Sequence, residues 1–380
     1  MRFAINGFGR IGKLVFRSFL ERKIKNVDIV AINELGSLES SHHLLNFDSS
    51  HGKIPIEIEK TKNGLKYNKN KIAFFSEKDP KNLPWKKLKV DVVLECSGFF
   101  TSKEKSFNHI KAGAKKVIIS APAKNADITI VQGVNHQILN QSHQIISNGS
   151  CTTNCLAPVA MVLDQNIGIE SGFMTTIHSF TGDQRTVDQS HSDLRRARTA
   201  SSSMIPTSTG AAKAIGLVLP SLVGKLDGTA IRVPTPNVSL IDLTFTSKKA
   251  TTINKINNTM IKASKKKIMK NILSVNNLPL VSVDFNHSPY SSNFDSKKLS
   301  SPKWRMLAFK PAPCSFMLSP FRAPGEKALP IFSCFRPVPL SLATILVTLF
   351  SESVNTSIVT DVAPAANALS IISYSAVRKS

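Results

Sequence analysis

The first twelve residues constrain this chain most. Arg2-Phe3-Ala4-Ile5-Asn6 reads as a short buried strand, Gly7-Phe8-Gly9-Arg10-Ile11-Gly12 as a glycine turn, and Lys13 to Leu20 as a helix. A GxGxxG run alone is a weak signal. Placed between a strand and a helix it is the dinucleotide fingerprint, because Gly7, Gly9 and Gly12 permit a tight turn and close backbone approach. The helix N-terminus then offers free N–H groups and positive potential to a pyrophosphate. Glu34 ends a second apolar strand 22 residues after Gly12. A carboxylate there accepts from ribose hydroxyls and repels a 2′-phosphate, which favours NAD over NADP.

The rest of the first 150 residues repeats the strand and helix alternation. Val27 to Ile32, Val90 to Cys96 and Lys116 to Ser120 read as buried strands, and Lys103 to Ala112 as a helix. The expected fold is α/β, with a doubly wound, Rossmann-type NAD(P)-binding domain over residues 1–150. After Cys151 the texture changes. Phe173 to Ser179, Ile231 to Val233 and Val238 to Thr246 read as strands, and Thr252 to Lys266 as an amphipathic helix. Fewer crossover helices predict a mixed α+β catalytic domain over residues 151–299.

The net charge of +24 raises a nucleic-acid reading. No zinc spacing, RNA-binding aromatic signature or dense basic arm accompanies it, so a solvated basic surface is the plainer reading and a nucleic-acid partner is not expected. Five cysteines, an odd number behind no secretory signal, fit a reducing compartment. The chain opens directly on a strand pattern, so no targeting peptide is expected. The nearest approach to a membrane span, Leu340 to Phe350, is shorter than the ~18 apolar residues required.

The segment Ser147-Asn148-Gly149-Ser150-Cys151-Thr152-Thr153-Asn154-Cys155 precedes an apolar, helix-like run from Leu156 to Leu163. Cys151 therefore falls at a helix N-terminus, where the dipole favours a thiolate. Cys155, one turn on, reads as a packing residue. The CxxxC spacing lacks a second ligand pair, so no metal site is expected. His178, in Thr175-Thr176-Ile177-His178-Ser179, ends a strand pattern. An imidazole beside a thiolate stabilises the ion pair and shuttles a proton, although a lone histidine is more often structural.

Seven segments then carry a resemblance: AINGFGRIGK, SNGSCTTNCLAP, TTIHSFTGDQ, DLRRAR, PTSTGAAKAIGLVLP, GKLDG and RVPTPNVS. In this order and spacing they resemble the glyceraldehyde-3-phosphate dehydrogenase family over about residues 1–299. HLLNFDSSHG, DQSHSDLRRAR and ILSVNNLPLVSVDF resemble its cyanobacterial and chloroplast type. The resemblance implies phosphorylating oxidation of an aldehyde through a thioester on Cys151, with His178 as acid–base. It implies that Thr181, Arg196 and Arg232 meet the substrate phosphate, and that Ser150, Thr152, Thr209 and Gly210 meet the attacking phosphate. Arg10, Ile11, Glu34, Lys78, Ser97, Gly98 and Ser120 match cofactor-contact positions. Lys78 stands where many members carry arginine, and Gly149 where Ala is usual.

The pair Gln189-Ser190 resembles members that accept NADP, so NAD is the expected cofactor with NADP a second. Glyceraldehyde 3-phosphate, inorganic phosphate and a homotetramer are the implied partners, in the cytoplasm or, for a chloroplast-like member, a plastid. Ile32-Asn33-Glu34-Leu35 also resembles erythrose-4-phosphate dehydrogenase, the alternative within the enzyme class. From another class, the alternative is a catalytically inactive relative that binds dinucleotide or nucleic acid.

The resemblance fades from Asp295 to Leu299. Residues 300–380 hold nine of the twenty prolines and no histidine, an anomalous tail left unassigned to either domain. Motif loss coinciding with a composition shift reads as a changed reading frame or a join to unrelated sequence, with a genuine extension as the alternative.

Overall fold

The computed structural model describes residues 1–300 and 304–310. The N-terminal part contains β1 (Arg2–Asn6), α1 (Arg10–Glu21), β2 (Asp28–Asn33), α2 (Leu38–Asn46), β3 (Phe47–Asp48), β4 (Gly52–Lys53), β5 (Glu59–Thr61), β6 (Gly64–Tyr67), β7 (Asn70–Phe75), β8 (Val92–Glu95), α3 (Lys103–Lys111), β9 (Lys116–Ile119), β10 (Ile128–Thr129) and β11 (Ile145–Ser147). Nine of these strands form one sheet in the order β10-β11-β9-β8-β1-β2-β7-β6-β5. Its central strands run parallel, the Rossmann-type arrangement.

Alternation along β1 explains why both faces must be covered. Phe3 and Ile5 point into a core with Phe16 and Phe19 of α1, whereas Ala4 points the other way, towards Trp85 and Val117. β1 sits between β2 and β8, so the chain leaves it first to one side and later to the other. In such sheets a crevice opens at that switch point, above the carboxyl ends of the strands.

α4 (Cys151–Asn166) leads from β11 into the second part, which contains β12 (Ile169–Ser179), β13 (Ile205–Ser208), α5 (Ile215–Val218), β14 (Leu226–Val233), β15 (Ser239–Ser247), α6 (Ile253–Ser264), β16 (Leu273–Asn276), β17 (Ser292–Ser300) and β18 (Trp304–Lys310). The sheet order is β13-β14-β12-β15-β18-β17-β16. It is mixed: β12 runs parallel to β14 and antiparallel to β15. α4 lies on this sheet, its Leu156 and Leu163 packed in one core with Met174, Phe245, Phe294 and Met306.

The predicted elements are present, with β12 and β14 longer than their apolar stretches suggested. The difference of substance is β18, which lies beyond the expected domain end at residue 299. It pairs with β15 from Ser239↔Lys310 to Phe245↔Trp304 and with β17 on its other side. Two strands that would each present a bare edge thereby gain a common partner, and the backbone bonds of a central strand hold it despite the change in composition. Cys314, Cys334 and the Leu340 to Phe350 run lie outside the described residues. Among the described residues no helix is long and apolar enough to cross a membrane, and no three His, Cys, Asp or Glu side chains are grouped to hold a metal ion.

Candidate active site

The glycine turn has the form its sequence demands. Gly7 adopts φ +88°, and a Cβ there would lie 2.4 Å from the Ser97 backbone nitrogen. A Cβ on Gly9 or Gly98, in contrast, would meet nothing within 4 Å, so open space faces the turn. Gly9 caps α1 with no side-chain bond to its first turn. These uncapped amides, facing open space and flanked by Arg10 and Ile11, fit the pyrophosphate of a dinucleotide.

Glu34 closes the turn from the side. Its Oε2 accepts from Phe8 N at 2.6 Å and its Oε1 from Gly36 N at 3.1 Å. Each carboxylate oxygen keeps a second lone pair, so contact with the loop leaves room for a ribose hydroxyl.

The cleft above the turn holds about 580 Å3 and runs into the second domain. It brings together ten expected site residues: Arg10, Ile11, Ser97, Gly98, Ser120, Ser150, Cys151, His178, Thr181 and Arg232. Ser49, Ser50, Asn148, Asn154, Phe180 and Pro236 also line it and were not singled out from sequence. Asn154 bridges the nucleophile loop, its Nδ2 donating to Asn148 O at 2.7 Å and Ser150 O at 2.9 Å. The SNGSCTTN run carries this asparagine three residues after the cysteine. Gly149, at φ +63°, suits this loop because it occupies the left-handed region.

Cys151 is the first residue of α4, and Ser150 caps the helix by accepting from Thr153 N at 2.9 Å. Negative charge on the sulfur is stabilised at this end of the helix. Cys151 Sγ lies 3.5 Å from His178 Nε2. His178, one residue before the end of β12, is in register with Arg232 of β14, which sets imidazole and guanidinium side by side. His178 Nδ1 is 2.7 Å from Ser179 O, and Arg232 Nη1 is 2.9 Å from the same carbonyl. In the tautomer that donates from Nδ1 to this carbonyl, Nε2 is left to take a proton from the thiol.

Arg232 Nη1 also lies 2.7 Å from Nδ1 itself, a donor facing a donor in that tautomer. Arg232 is thus held by a shared contact, and its Nε is buried with no hydrogen-bond partner among the described residues. Burial lowers its affinity for a proton below the arginine norm, opposed by the charge at Cys151.

The other two cysteines among the described residues are set apart. Burial first, then the neighbouring Glu95, pushes the Cys96 thiol far up, which keeps it un-ionised near neutral pH. Cys155 is buried with its sulfur 3.6 Å from Ser292 Oγ, a packing position.

Other expected residues do not line the cleft. Thr152 is buried in the first turn of α4. Arg196 is ion-paired to Asp183 at 2.7 Å and Asp193 at 3.2 Å, and its Nη2 donates to Thr207 Oγ1 at 2.6 Å. Thr209 and Gly210 follow β13, where Thr209 Oγ1 accepts from Ala211 N at 3.2 Å. Lys78 follows Glu77, whose backbone is tied to Asn33 beside the turn.

Fold and site together define a two-domain α/β protein in which a dinucleotide turn and a cysteine–histidine pair face one cleft. Comparison with known proteins resolves the class further. The glyceraldehyde 3-phosphate dehydrogenase NAD binding domain matches residues 1–103, and the C-terminal domain of the same family matches residues 150–308. The glyceraldehyde-3-phosphate dehydrogenase of Xanthobacter flavus is 54% identical over 294 residues, which are 77% of this chain and 88% of the relative. That of Zymomonas mobilis is 54% identical over 299 residues, covering 78% and 89%. That of Geobacillus stearothermophilus is 51% identical over 297 residues, covering 78% and 88%. The chain belongs to the glyceraldehyde 3-phosphate dehydrogenase family. The match to residue 308 takes in most of β18, beyond the point where the motifs faded.

Proposed function

We propose that this chain oxidises glyceraldehyde 3-phosphate with NAD and inorganic phosphate to an acyl phosphate. The observation that carries the reading is Cys151 Sγ, 3.5 Å from His178 Nε2, at a helix N-terminus in the cleft shared with the glycine turn.

The chemistry follows from the residues. His178 Nε2 takes the thiol proton, and the Cys151 thiolate attacks the aldehyde carbon, forming a C–S bond while the carbonyl oxygen becomes an alkoxide. The imidazolium returns its proton to that oxygen, giving a hemithioacetal. His178 then withdraws the hydroxyl proton as the carbon loses a hydride. NAD, when bound, supplies the acceptor for that hydride. The product on the enzyme is a thioester. A phosphate oxygen attacks its carbonyl carbon, the C–S bond breaks, and the Cys151 thiolate is restored.

Thr181, Arg196 and Arg232 serve the substrate phosphate in this reading, and Ser150, Thr152, Thr209 and Gly210 the attacking phosphate. The guanidinium of Arg232, which lines the cleft beside Thr181 and Cys151, supports an anion subsite. Arg196 joins by exchanging Asp183 for phosphate. Thr152 contributes its backbone, the side chain being buried. Gly7, Gly9 and Gly12 admit the pyrophosphate, with Arg10, Ile11, Ser97, Gly98 and Ser120 around the dinucleotide. Glu34 selects a 2′-hydroxyl, so NAD is preferred and NADP is the weaker cofactor; Lys78 lies towards the adenine. A homotetramer in the cytoplasm completes the reading.

An absorbance assay of NAD reduction tests it. Turnover is expected with glyceraldehyde 3-phosphate, NAD and phosphate together, a slower rate with NADP or erythrose 4-phosphate, and none in Cys151→Ser. Turnover that persists in Cys151→Ser, or that ignores phosphate, sinks the thioester route.

A further inference from the structure

Beneath the cleft, the last residues of three adjacent parallel strands lie in one row: Asn33 of β2, Asn6 of β1 and Glu95 of β8. Their side chains are joined. Asn33 Nδ2 donates to Asn6 Oδ1 at 2.7 Å, and Asn6 Nδ2 to Glu95 Oε2 at 2.6 Å. Beyond Asn33, its Nδ2 donates to Glu77 O and its Oδ1 accepts from Glu77 N, both at 2.9 Å. Beyond Glu95, His109 Nε2 stands 3.0 Å from Oε2, and Trp85 Nε1 donates to His109 Nδ1 at 3.0 Å. The indole N–H only donates, so Nδ1 accepts and the proton of a neutral ring points from Nε2 to Glu95. The other oxygen, Oε1, accepts from Ser97 N at 2.8 Å and Ser97 Oγ at 2.5 Å.

Four donors therefore converge on one carboxylate that is 1% exposed. None of them can be reversed. A flipped Asn33 sets its amide nitrogen against Glu77 N–H, and a flipped Asn6 sets nitrogen against nitrogen at Asn33. A reversed His109 proton meets the indole N–H. Both ends of the row fix its polarity, and the acceptor-only group at its centre is Glu95.

We propose that Glu95 is a positioning residue for the dinucleotide, one buried carboxylate that holds the two turns of the cofactor cleft at a set distance. Through Oε2 it holds Asn6, whose neighbour Gly7 begins the glycine turn. Through Oε1 it holds Ser97, whose Oγ accepts from Phe99 N at 3.1 Å and so shapes the Ser97-Gly98-Phe99 turn. Ser97 and Gly98 line the cleft, while Glu95 and His109 do not. The two turns are in backbone contact, because a Cβ on Gly7 would strike Ser97. A small change in this spacing alters the space in front of the α1 amides. Glutamine in place of Glu95 keeps the shape but brings two more donors to a point where donors already meet, so one of the two donor pairs loses its acceptor.

The inference rests on the reading of the cleft as a dinucleotide site. Its test uses the full chain, calorimetric titration with NAD, and the rate at which iodoacetamide labels Cys151. Glu95→Gln is expected to weaken NAD binding about tenfold and to raise KM for NAD with kcat nearly unchanged. The labelling rate of Cys151, which reports the other domain, is expected to stay the same. Asn6→Ala keeps the carboxylate and removes one of the four donors at a residue that does not line the cleft, so roughly a threefold loss is expected, and it decides the matter if Glu95→Gln does not fold. Wild-type affinity in the folded variants overturns the proposal, as does a parallel fall in Cys151 labelling in Glu95→Gln, which marks general loosening. If the unaltered chain does not bind NAD, the dinucleotide reading fails; if it binds and the variants bind equally, only the positioning role fails.

Discussion

The two halves of the cleft use the same strand geometry and opposite hydrogen-bond logic. In both, function sits at the carboxyl ends of parallel neighbours: β1, β2 and β8 beneath the glycine turn, and β12 beside β14 beneath Cys151. The second case is the more telling, since most pairings in that sheet are antiparallel. The parallel pairing of β12 with β14 brings His178 and Arg232 together at the same end. On the dinucleotide side the buried side chains beneath the turn satisfy one another, and Glu95 meets four donors. On the thiol side they are held by partners that can be exchanged. Arg232 shares a carbonyl with His178, and Arg196 rests on Asp183. A site that only binds gains from rigidity. A site whose charges move during reaction needs acceptors that yield to incoming phosphate.

That contrast is tested most severely at His178. His178→Asn keeps a polar side chain of similar size and removes the proton shuttle. A fall in kcat/KM of about 10² to 10⁴ is expected. Iodoacetamide labelling of Cys151 at neutral pH is expected to slow as well, while the Kd for NAD holds. Labelling at the original rate would mean that the helix N-terminus alone maintains the thiolate, and the histidine would lose its place in the ion pair.

The reverse case is Gly7→Ala, which strikes the rigid side. The added methyl meets Ser97 N at 2.4 Å and Ser97 Cα at 2.5 Å, both backbone atoms, at a φ of +88°. No side chain can swing away to relieve the contact. A loss of about 1–3 kcal/mol in stability is expected, together with weakened NAD binding. Cys151 labelling is expected to survive. If Gly7→Ala binds NAD like the unaltered chain, the turn tolerates displacement and the claim of rigidity fails.

Legibility in the sequence followed the same division. The glycine turn is local, six residues between a strand and a helix, and its geometry is implied by its composition. Cys151 was legible for the same reason, because the helix start lies next to it. His178 owes its position to a strand register with Arg232, 54 residues away, and spacing alone carries no such register. The row from Asn33 to Trp85 was invisible because its members come from separate strands, a helix and a turn and meet only when the sheet forms. The hairpins from Glu59 to Phe75 are rich in Lys and Asn and give little apolar alternation to read. β18 was hidden by a composition shift, although its central place is fixed by backbone pairing on both sides. The DLRRAR motif points Arg196 to the substrate phosphate; its ion pairs with Asp183 and Asp193 form only in three dimensions.

The seam between the halves gives the gentlest test. His51, in the short loop between β3 and β4, meets His287 of the second domain, Nδ1 to Nδ1 at 2.9 Å. One ring must donate and the other accept, so the contact does not tolerate two protonated rings. Burial pushes His51 down to about 4; Asp48 opposes this, and His287, Arg10 and Arg17 add to it. An unfolded histidine takes up its proton near the ordinary value of 6.5. Between those values the unfolded chain binds the extra proton and the folded chain does not, so acidification through this window favours unfolding. The contribution is intact above about 6.5 and is lost progressively towards 4, with a ceiling of roughly 3 kcal/mol. His51→Asn removes the titration while keeping a group that donates and accepts. Its thermal midpoint is expected to fall less steeply than that of the unaltered chain as pH drops from 6.5 to 4, with the NAD Kd at neutral pH unchanged. Parallel midpoint curves for the two proteins would show that the seam carries no pH-dependent stability, and that the two halves meet there without electrostatic coupling.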